Sequence, residues 1–140
     1  MNENFVGIGI DIVEIARFRN LIDESGDRFL NKWFTTKEIN YCNNKANRYQ
    51  HYAGKFSAKE AVCKALEMNW KDGLHWKDIE IINNENGIPR VLLSGKAKEK
   101  SNIMGVEKVL ISISHCKNYA TAVATLIGEN RYGSYKPNND

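Results

Sequence analysis

This 140-residue sequence has few cysteines, no long apolar run and little net charge. Its three cysteines, Cys42, Cys63 and Cys116, form no Cys-x-x-Cys pair, which argues against a zinc knuckle or a disulfide framework and indicates reduced thiols. No stretch is long enough to cross a bilayer, and the first residues lack a basic region followed by a long apolar run. We therefore expect a cytoplasmic protein that makes no use of a membrane.

The charge balance is too weak to indicate a nucleic acid partner. The formal net charge is +3, because 20 basic residues are interleaved with 17 acidic ones. This balance favours acidic partners only mildly, and it lacks the concentrated basic stripe that nucleic acid binding needs. The length fits one domain, which we place over residues 1–127. Residues 128–140 show no periodicity, and we expect them to form a mobile tail.

Hydrophobic periodicity predicts a mixture of strands and helices. The expected strands are 5–13, 79–82, 88–93, 106–114 and 119–127, with the last four paired as two hairpins. The expected helices begin at 15, 35, 48 and 96 and end near 25, 43, 67 and 104. Thr35 and Glu38 have the spacing of a capping box, which supports the start of the second helix.

Residues 5–18, F-V-G-I-G-I-D-I-V-E-I-A-R-F, form the most informative segment. Two glycines on one strand face weaken the strand unless another backbone or a ligand must come close. A carboxylate next in that row suggests a metal or phosphate site at the strand end, and a half-buried strand with a solvated aspartate is the alternative. One predicted strand face carries Val6, Ile8, Ile10 and Ile12, and the other carries Gly7, Gly9 and Asp11.

A second segment lies on the long predicted helix, at G-K-F-S-A-K-E-A-V-C-K-A-L, residues 54–66. Helical spacing places Ser57, Glu60 and Lys64 on one face. Glu60 and Lys64 have the i, i+4 spacing of an ordinary surface ion pair, which is one interpretation. The other is a carboxylate that binds a divalent cation, with a lysine one turn further on for phosphate oxygens. Asp11 and Glu60 could then supply a Mg²⁺ site, since Mg²⁺ takes one or two carboxylates plus substrate phosphates.

A third segment is I-S-I-S-H, residues 111–115, where His115 ends a predicted strand. Ser114, Lys117 and the amides of the turn would lie near it, which suits a phosphate. A histidine at a strand end also has plain structural uses, so both interpretations stay open.

Together the three segments resemble the holo-acyl-carrier-protein synthase family, the short bacterial type of 4′-phosphopantetheinyl transferase. The resemblance rests on G-I-G-I-D-I-V-E-I-A-R-F, on A-G-K-F-S-A-K-E-A-V-C-K-A, on S-I-S-H with Y-A-T-A-V-A, and on D-I-E-I before N-G-I-P. It covers residues 5–127, and three segments in the same order are more specific than any one motif. It implies an α+β fold, in which an antiparallel sheet packs on a long helix, and a homotrimer with active sites at subunit interfaces.

The resemblance also implies a reaction. The family transfers 4′-phosphopantetheine from CoA to a serine of apo-acyl carrier protein and releases adenosine 3′,5′-bisphosphate, as a step that serves fatty acid biosynthesis. A bound metal neutralises the charge that grows on the bridging oxygen. By match of motif, Asp11 and Glu60 would bind Mg²⁺, Lys64 the pyrophosphate and His115 the CoA phosphates, while Lys55, Lys59 and Pro89 would lie along the CoA groove. Glu60, directly or through a metal-bound water, is the first candidate for the base.

The other substrate implied by the resemblance is an acidic helical carrier protein. We expect it to dock on Arg17, Arg28 and Phe29, which follow Asp11 in the sequence. Acidic residues within 23–27 interrupt this basic patch, so its attraction should be moderate and strongly screened by salt.

The sequence departs from the family at two places, both of which concern CoA affinity. Residues 67–69 read Glu-Met-Asn where the family usually has a Gly-Thr-Gly loop near CoA. Lys55 replaces a usual arginine, which keeps the charge but loses the bidentate fork.

Other functions remain open on the sequence alone. A metal-dependent hydrolase acting on CoA or nucleotides would release product without any carrier protein. A non-catalytic module that binds an acidic partner or nucleic acid would need a more concentrated basic surface. The larger secondary-metabolite transferases of the same superfamily fuse two such halves, whereas this chain holds one.

Overall fold

A computed structural model describes residues 4–129. One strand is followed by three α-helices, and two strand pairs separated by a fourth helix complete the order. The strands are β1 (Asn4–Glu14), β2 (Ile79–Asn83), β3 (Pro89–Leu93), β4 (Val106–His115) and β5 (Tyr119–Gly128). The α-helices are α1 (Ile15–Trp33), α2 (Thr36–Asn43), α3 (Arg48–Ala65) and α4 (Gly95–Met104), and short 3₁₀ turns cover Trp70–Asp72 and Trp76–Asp78. The predicted α+β class and both predicted hairpins are confirmed.

Two antiparallel sheets carry the fold. The larger has the order β1-β5-β4, and the smaller is the hairpin of β2 and β3. Asp11 pairs with Ala122 of β5, which in turn pairs with Ile113 of β4, and His115 pairs with Ala120. This register places Asp11 and His115 on the same face of the larger sheet, because residues separated by an even number share a face.

Helix α3 packs on the larger sheet through the glycine face of β1. A Cβ atom added at Gly9 would collide with the carbonyl oxygen of Ala61, and one at Gly7 would lie 2.5 Å from the carbonyl oxygen of Ala65. The two glycines therefore allow the close approach of a helix backbone, as their position in the strand predicted.

The apolar row on the other face of β1 does not join the core of the single chain. Ile8, Ile10 and Ile12 are 73%, 66% and 63% exposed. The alternation predicted correctly which residues share a face. It implied that the isoleucine face would be buried, whereas the structure buries the glycine face and exposes the isoleucines. Leu110 and Tyr119 extend this exposed surface across β4 and β5.

Local signals fix several helix boundaries. The predicted capping box is present, since Thr35 Oγ1 accepts from the Glu38 amide at 3.3 Å and Glu38 Oε1 accepts from the Thr35 amide at 2.8 Å. The predicted break at residues 25–26 is a single non-helical residue, Gly26, after which α1 continues to Trp33.

Helix α3 ends two residues earlier than predicted. The amide of Met68 donates to the carbonyl of Cys63 at 3.1 Å, and that of Glu67 donates to Lys64 at 3.0 Å, which is the hydrogen-bond pattern of a Schellman motif. Glu67 takes the left-handed position of this motif, with φ of 55°, where glycine is the usual residue.

The end of the predicted domain lies within β5, which continues to Gly128. The amide of Glu129 then donates to the carbonyl of Gly105 at 3.0 Å. The remainder of the predicted tail lies outside the described residues. No helix within residues 4–129 combines the length and apolarity needed to span a bilayer.

Candidate active site

Asp11 sits at the point where the glycine row of β1 meets α3. Its backbone carbonyl accepts hydrogen bonds from Ser57 Oγ at 3.0 Å and Thr121 Oγ1 at 2.7 Å. Lys64 Nζ lies 3.3 Å from Asp11 Oδ1 and donates to the carbonyl of Ile10 at 2.9 Å. The bonds from the helix and the neighbouring strand fix the backbone at Asp11, and Lys64 contacts its carboxylate.

Glu60 lies one helical turn before Lys64 on α3. Its Oε1 accepts a hydrogen bond from Trp70 Nε1 at 3.2 Å. Burial, and next the negative charge of Asp11, raises the pKa of Glu60 above its ordinary value. Lys64 forms its ion pair with Asp11 and not with Glu60, so the i, i+4 surface pair is not the one observed among the described residues.

One further observation indicates that Asp11 and Glu60 are suited to bind a divalent cation. Asp11 Oδ2 is buried and has no hydrogen-bond partner in the described structure. An unpartnered buried carboxylate oxygen carries a large desolvation cost, which a cation would remove. Residues 4–129 contain no cluster of three or more His, Cys, Asp or Glu ligands. Two carboxylates alone are the donor set typical of Mg²⁺, which completes its shell with water and substrate phosphates.

A cavity of about 350 Å³ opens beside these carboxylates. Of the predicted docking residues, Arg17 and Phe29 lie in its wall, whereas Arg28 is exposed on α1 and does not line it. The wall that joins them to Asp11 and Glu60 is mainly aromatic, with contributions from Phe18, Trp33, Phe56, Trp70 and Trp76. We call Asp11, Glu60 and Lys64 the carboxylate region.

The remaining predicted CoA residues, apart from Lys59, meet at a second cavity of about 190 Å³. We call Lys55, Pro89 and His115, which line it, the histidine region. Lys55 Nζ donates to the carbonyl of Ile81 at 2.6 Å and to Asn83 Oδ1 at 2.7 Å. The rings of His51 and His115 meet edge-on with 6.3 Å between their centroids. Six polar or cationic side chains line this cavity: Tyr41, Gln50, His51, Lys55, Asn83 and His115.

Lys59 does not reach either cavity. Its side chain is 0% exposed, and Nζ lies 2.8 Å from Glu38 Oε1. It also donates to the carbonyls of Ile79 at 2.6 Å and Trp76 at 3.0 Å. All three ammonium donors are therefore used inside the core, which does not support the predicted contact of Lys59 with CoA.

Helix α3 separates the carboxylate region from the histidine region within one chain. His115 is two strands away from Asp11 and two residues further along, which is about 12 Å between Cα atoms for ordinary sheet spacings. Ser57 of α3 contacts Asp11 on one side, while a Cβ at Gly54 would lie 3.0 Å from Ile113 on the other. Among the described residues, the linings of the two cavities have none in common.

Two residues of the site escaped the sequence analysis. Trp70 contacts Glu60 from a short 3₁₀ turn ten residues further on, where no periodicity in the sequence indicates a side-chain direction. His51 precedes Lys55 by one helical turn, so the i, i+4 spacing could have placed it beside the predicted CoA groove.

Comparison with known proteins gives consistent matches. Residues 7–124 match the model of the 4′-phosphopantetheinyl transferase superfamily. The holo-[acyl-carrier-protein] synthase of Protochlamydia amoebophila is 47% identical over 85% of this chain and 95% of its own. That of Halothermothrix orenii is 42% identical over 88% of this chain and 96% of its own.

Solved structures agree with the sequence matches. The Helicobacter pylori holo-[acyl-carrier-protein] synthase in complex with coenzyme A superposes with a TM-score of 0.75 and 34% identity, covering 85% of this chain and 98% of that one. The Plasmodium yoelii holo-ACP-synthase gives 0.78 with 31% identity, covering 93% and 100%.

Proposed function

The chain belongs to the 4′-phosphopantetheinyl transferase superfamily, and from this premise we propose that it transfers 4′-phosphopantetheine from CoA to a serine of apo-acyl carrier protein. The product released is adenosine 3′,5′-bisphosphate, and the holo-carrier serves fatty acid biosynthesis. The observation that carries the proposal is the Asp11–Glu60 pair with its unpartnered buried oxygen, beside a cavity whose wall includes an arginine. The complex of a relative with coenzyme A supports the choice of donor.

Asp11 and Glu60 are the residues proposed to hold Mg²⁺. When bound, the cation would neutralise the charge of the pyrophosphate and orient the phosphorus for in-line attack. Lys64, held by Asp11 and the carbonyl of Ile10, keeps a half-exposed ammonium that can turn to a phosphate oxygen. Glu60 is the proposed base for the carrier serine, directly or through water, because burial favours its proton-bound form more than in solution.

The CoA phosphates are proposed to bind the histidine region. Lys55 keeps one ammonium hydrogen beyond its two acceptors, and His115 is exposed at the cavity mouth. Pro89 lines the same cavity. Lys59, with every donor occupied in the core, is left out of the proposed CoA site.

The acidic carrier is proposed to dock on Arg17, Arg28 and Phe29. Arg17 and Phe29 line the aromatic cavity that also contains Asp11 and Glu60, so a carrier bound there would bring its serine to the metal ligands. Arg28 is exposed on the same helix and can add to the attraction of an acidic surface.

The active form is proposed to be a homotrimer with shared sites. The exposed row of Ile8, Ile10 and Ile12 gives each chain an apolar sheet face that a neighbouring subunit would cover. Because α3 stands between the two regions in one chain, we propose that His115 completes the Asp11–Glu60 site of the next subunit in a closed ring.

Residues 1–127 are proposed to act as one domain in the cytoplasm. Cys42 and Cys63 are buried as free thiols, and Cys116 is free and exposed, which suits a reducing compartment.

Mass spectrometry of apo-carrier incubated with CoA, Mg²⁺ and the protein tests the activity. We expect one added phosphopantetheine per carrier and an equal yield of adenosine 3′,5′-bisphosphate. CoA cleavage without carrier would indicate a hydrolase instead. Carrier binding without mass increase would indicate a non-catalytic module.

A further inference from the structure

Trp70 is the one side chain from outside α3 that an observed hydrogen bond joins to the Glu60 carboxylate in the described structure. It begins the first 3₁₀ turn after the helix, and its indole Nε1 donates to Glu60 Oε1 at 3.2 Å. A neutral donor of this kind fixes the direction of a carboxylate and leaves its negative charge in place. The charge thus remains available to a cation.

The indole is held rigidly by a column of stacked rings. Trp70 stacks on Trp76 with 3.4 Å between centroids and 22° between planes, and Trp76 stacks on Phe56 with 4.7 Å and 24°. Trp33 meets Trp76 edge-on at 4.3 Å. Phe56 lies one helical turn before Glu60 on α3, so the column begins on α3 at Phe56 and the hydrogen bond of Trp70 returns to α3 at Glu60.

The turn that carries Trp70 is also fixed at its start. Asn69 Oδ1 accepts from the Lys71 amide at 2.9 Å, and Asp72 Oδ2 accepts from the Asn69 amide at 3.0 Å. Stacking on one side and the capped turn on the other leave the indole N–H little freedom to leave Glu60.

We infer that Trp70 is a positioning residue for Glu60. Its indole N–H binds Oε1 of Glu60, so that Oε2 is the oxygen that would bind a cation, together with the unpartnered Oδ2 of Asp11. The inference rests on the proposed function, because it concerns the same metal site. Hydrogen-bond partners of metal-binding carboxylates orient the ligand, and their loss typically weakens metal affinity by about 10- to 100-fold.

The wild-type protein offers a direct test, because its three tryptophans give three indole N–H signals in a ¹H–¹⁵N spectrum. Each signal is assigned by its loss in the corresponding Trp→Phe variant. Titration with Mn²⁺ alone should broaden the Trp70 signal at the lowest concentration, and Mg²⁺ alone should shift it most. Equal responses of all three signals, or no response of Trp70, would overturn the inference.

Trp70→Phe is the matched substitution, since phenylalanine keeps a ring in the column and removes the N–H donor. Trp76→Phe makes the same ring change one place along the column without touching Glu60. Mn²⁺ binding to each variant is measured by electron paramagnetic resonance, and circular dichroism checks folding. We expect the Mn²⁺ Kd to rise about tenfold or more in Trp70→Phe and less than about threefold in Trp76→Phe.

The outcomes separate this inference from the proposed function. Equal Kd changes in the two variants would mean that the aromatic column acts only structurally, and would overturn the role of the N–H. An unchanged Kd in Trp70→Phe, with clear binding by wild type, would do the same. Absence of Mn²⁺ binding by wild type would overturn both the metal site and the inference. If Trp70→Phe does not fold, the wild-type spectrum decides, because the Trp70 signal is then the one that remains in both the Trp33→Phe and the Trp76→Phe variants.

Discussion

The carboxylate region and the histidine region are built in different ways. The Asp11 side chain is 14% exposed and forms an ion pair with Lys64, and its backbone carbonyl is bonded by a strand and a helix. The Glu60 carboxylate is held by Trp70. His115 is exposed at the end of a strand and meets another histidine at 6.3 Å. Mg²⁺ demands near-ideal octahedral geometry, so its carboxylate ligands must be well placed. An exposed side chain that contacts a phosphate can instead be covered by a second protein surface. This difference indicates that one chain alone forms the carboxylate region, whereas the histidine region is completed by contact with another surface.

Removal of either carboxylate charge should cause the largest loss of activity of all the changes to the two regions. Asp11→Asn and Glu60→Gln each keep shape and remove the charge proposed to hold Mg²⁺. Since metal stabilisation of phosphoryl transfer amounts to several kcal/mol, we expect a loss of about 1,000-fold or more in kcat/KM with unchanged circular dichroism. EDTA should abolish wild-type activity reversibly. Full activity in excess EDTA would contradict the metal site.

Lys59→Met should lower stability and not CoA affinity. Burial lowers the pKa of Lys59, and the Glu38 carboxylate opposes that shift. Removing one partner of a buried ion pair leaves the other uncompensated, which costs about 3–5 kcal/mol of the free energy of unfolding. Urea unfolding measures the loss, and Glu38→Gln in the same chain should recover part of it. A loss below about 1 kcal/mol, with a raised KM for CoA, would return Lys59 to the CoA site.

Charge reversal on α1 should affect only the carrier. Arg17→Glu and Arg28→Glu should each raise the carrier KM by about tenfold and leave the CoA KM unchanged, because steering by complementary charge acts on encounter with the acidic partner. Lys98→Glu, on the exposed side of α4, makes the same charge change elsewhere and is the control. Equal effects of the Arg variants on both substrates would argue against this docking surface.

Glu67→Gly should have the smallest effect, a gain in stability next to the carboxylate region. Glu67 adopts φ of 55° at the end of α3, which is unfavourable for any residue with a Cβ. Relief of this strain, reduced by the greater freedom of glycine in the unfolded chain, should raise the free energy of unfolding by about 0.5–1 kcal/mol. Glu67→Ala keeps the Cβ and should gain nothing. The same gain in both variants would attribute it to the lost carboxylate.

The sequence predicted the carboxylate region well but did not predict which face of β1 is buried. Asp11 and Glu60 were proposed as one site from a strand row and a helical spacing, and the structure brings them together because glycines let α3 approach β1. Alternation could not decide which face of β1 is buried. The burial of each face depends on a partner that the strand sequence does not encode. The backbone of α3 covers the glycine face, and in our proposal another subunit covers the isoleucine face.

Long-range contacts explain the remaining differences. Lys55 and Lys59 lie one turn apart and look equivalent in the sequence. Lys59 is drawn into the core by Glu38, 21 residues away, while Lys55 reaches a cavity wall. Trp70 likewise acts through a contact that no local pattern encodes.

Complementation between inactive variants tests most directly whether the two regions meet across a subunit boundary. Glu60→Gln and His115→Ala are purified separately, mixed in equal amounts, unfolded and refolded together, with mixed oligomers verified by mass spectrometry. In a ring of shared sites, about a quarter of the interfaces would pair an intact carboxylate region with an intact His115, so activity should recover towards a quarter of wild type. Activity that stays at the average of the two variants in verified mixed oligomers would place Glu60 and His115 of one site in the same chain and contradict the account.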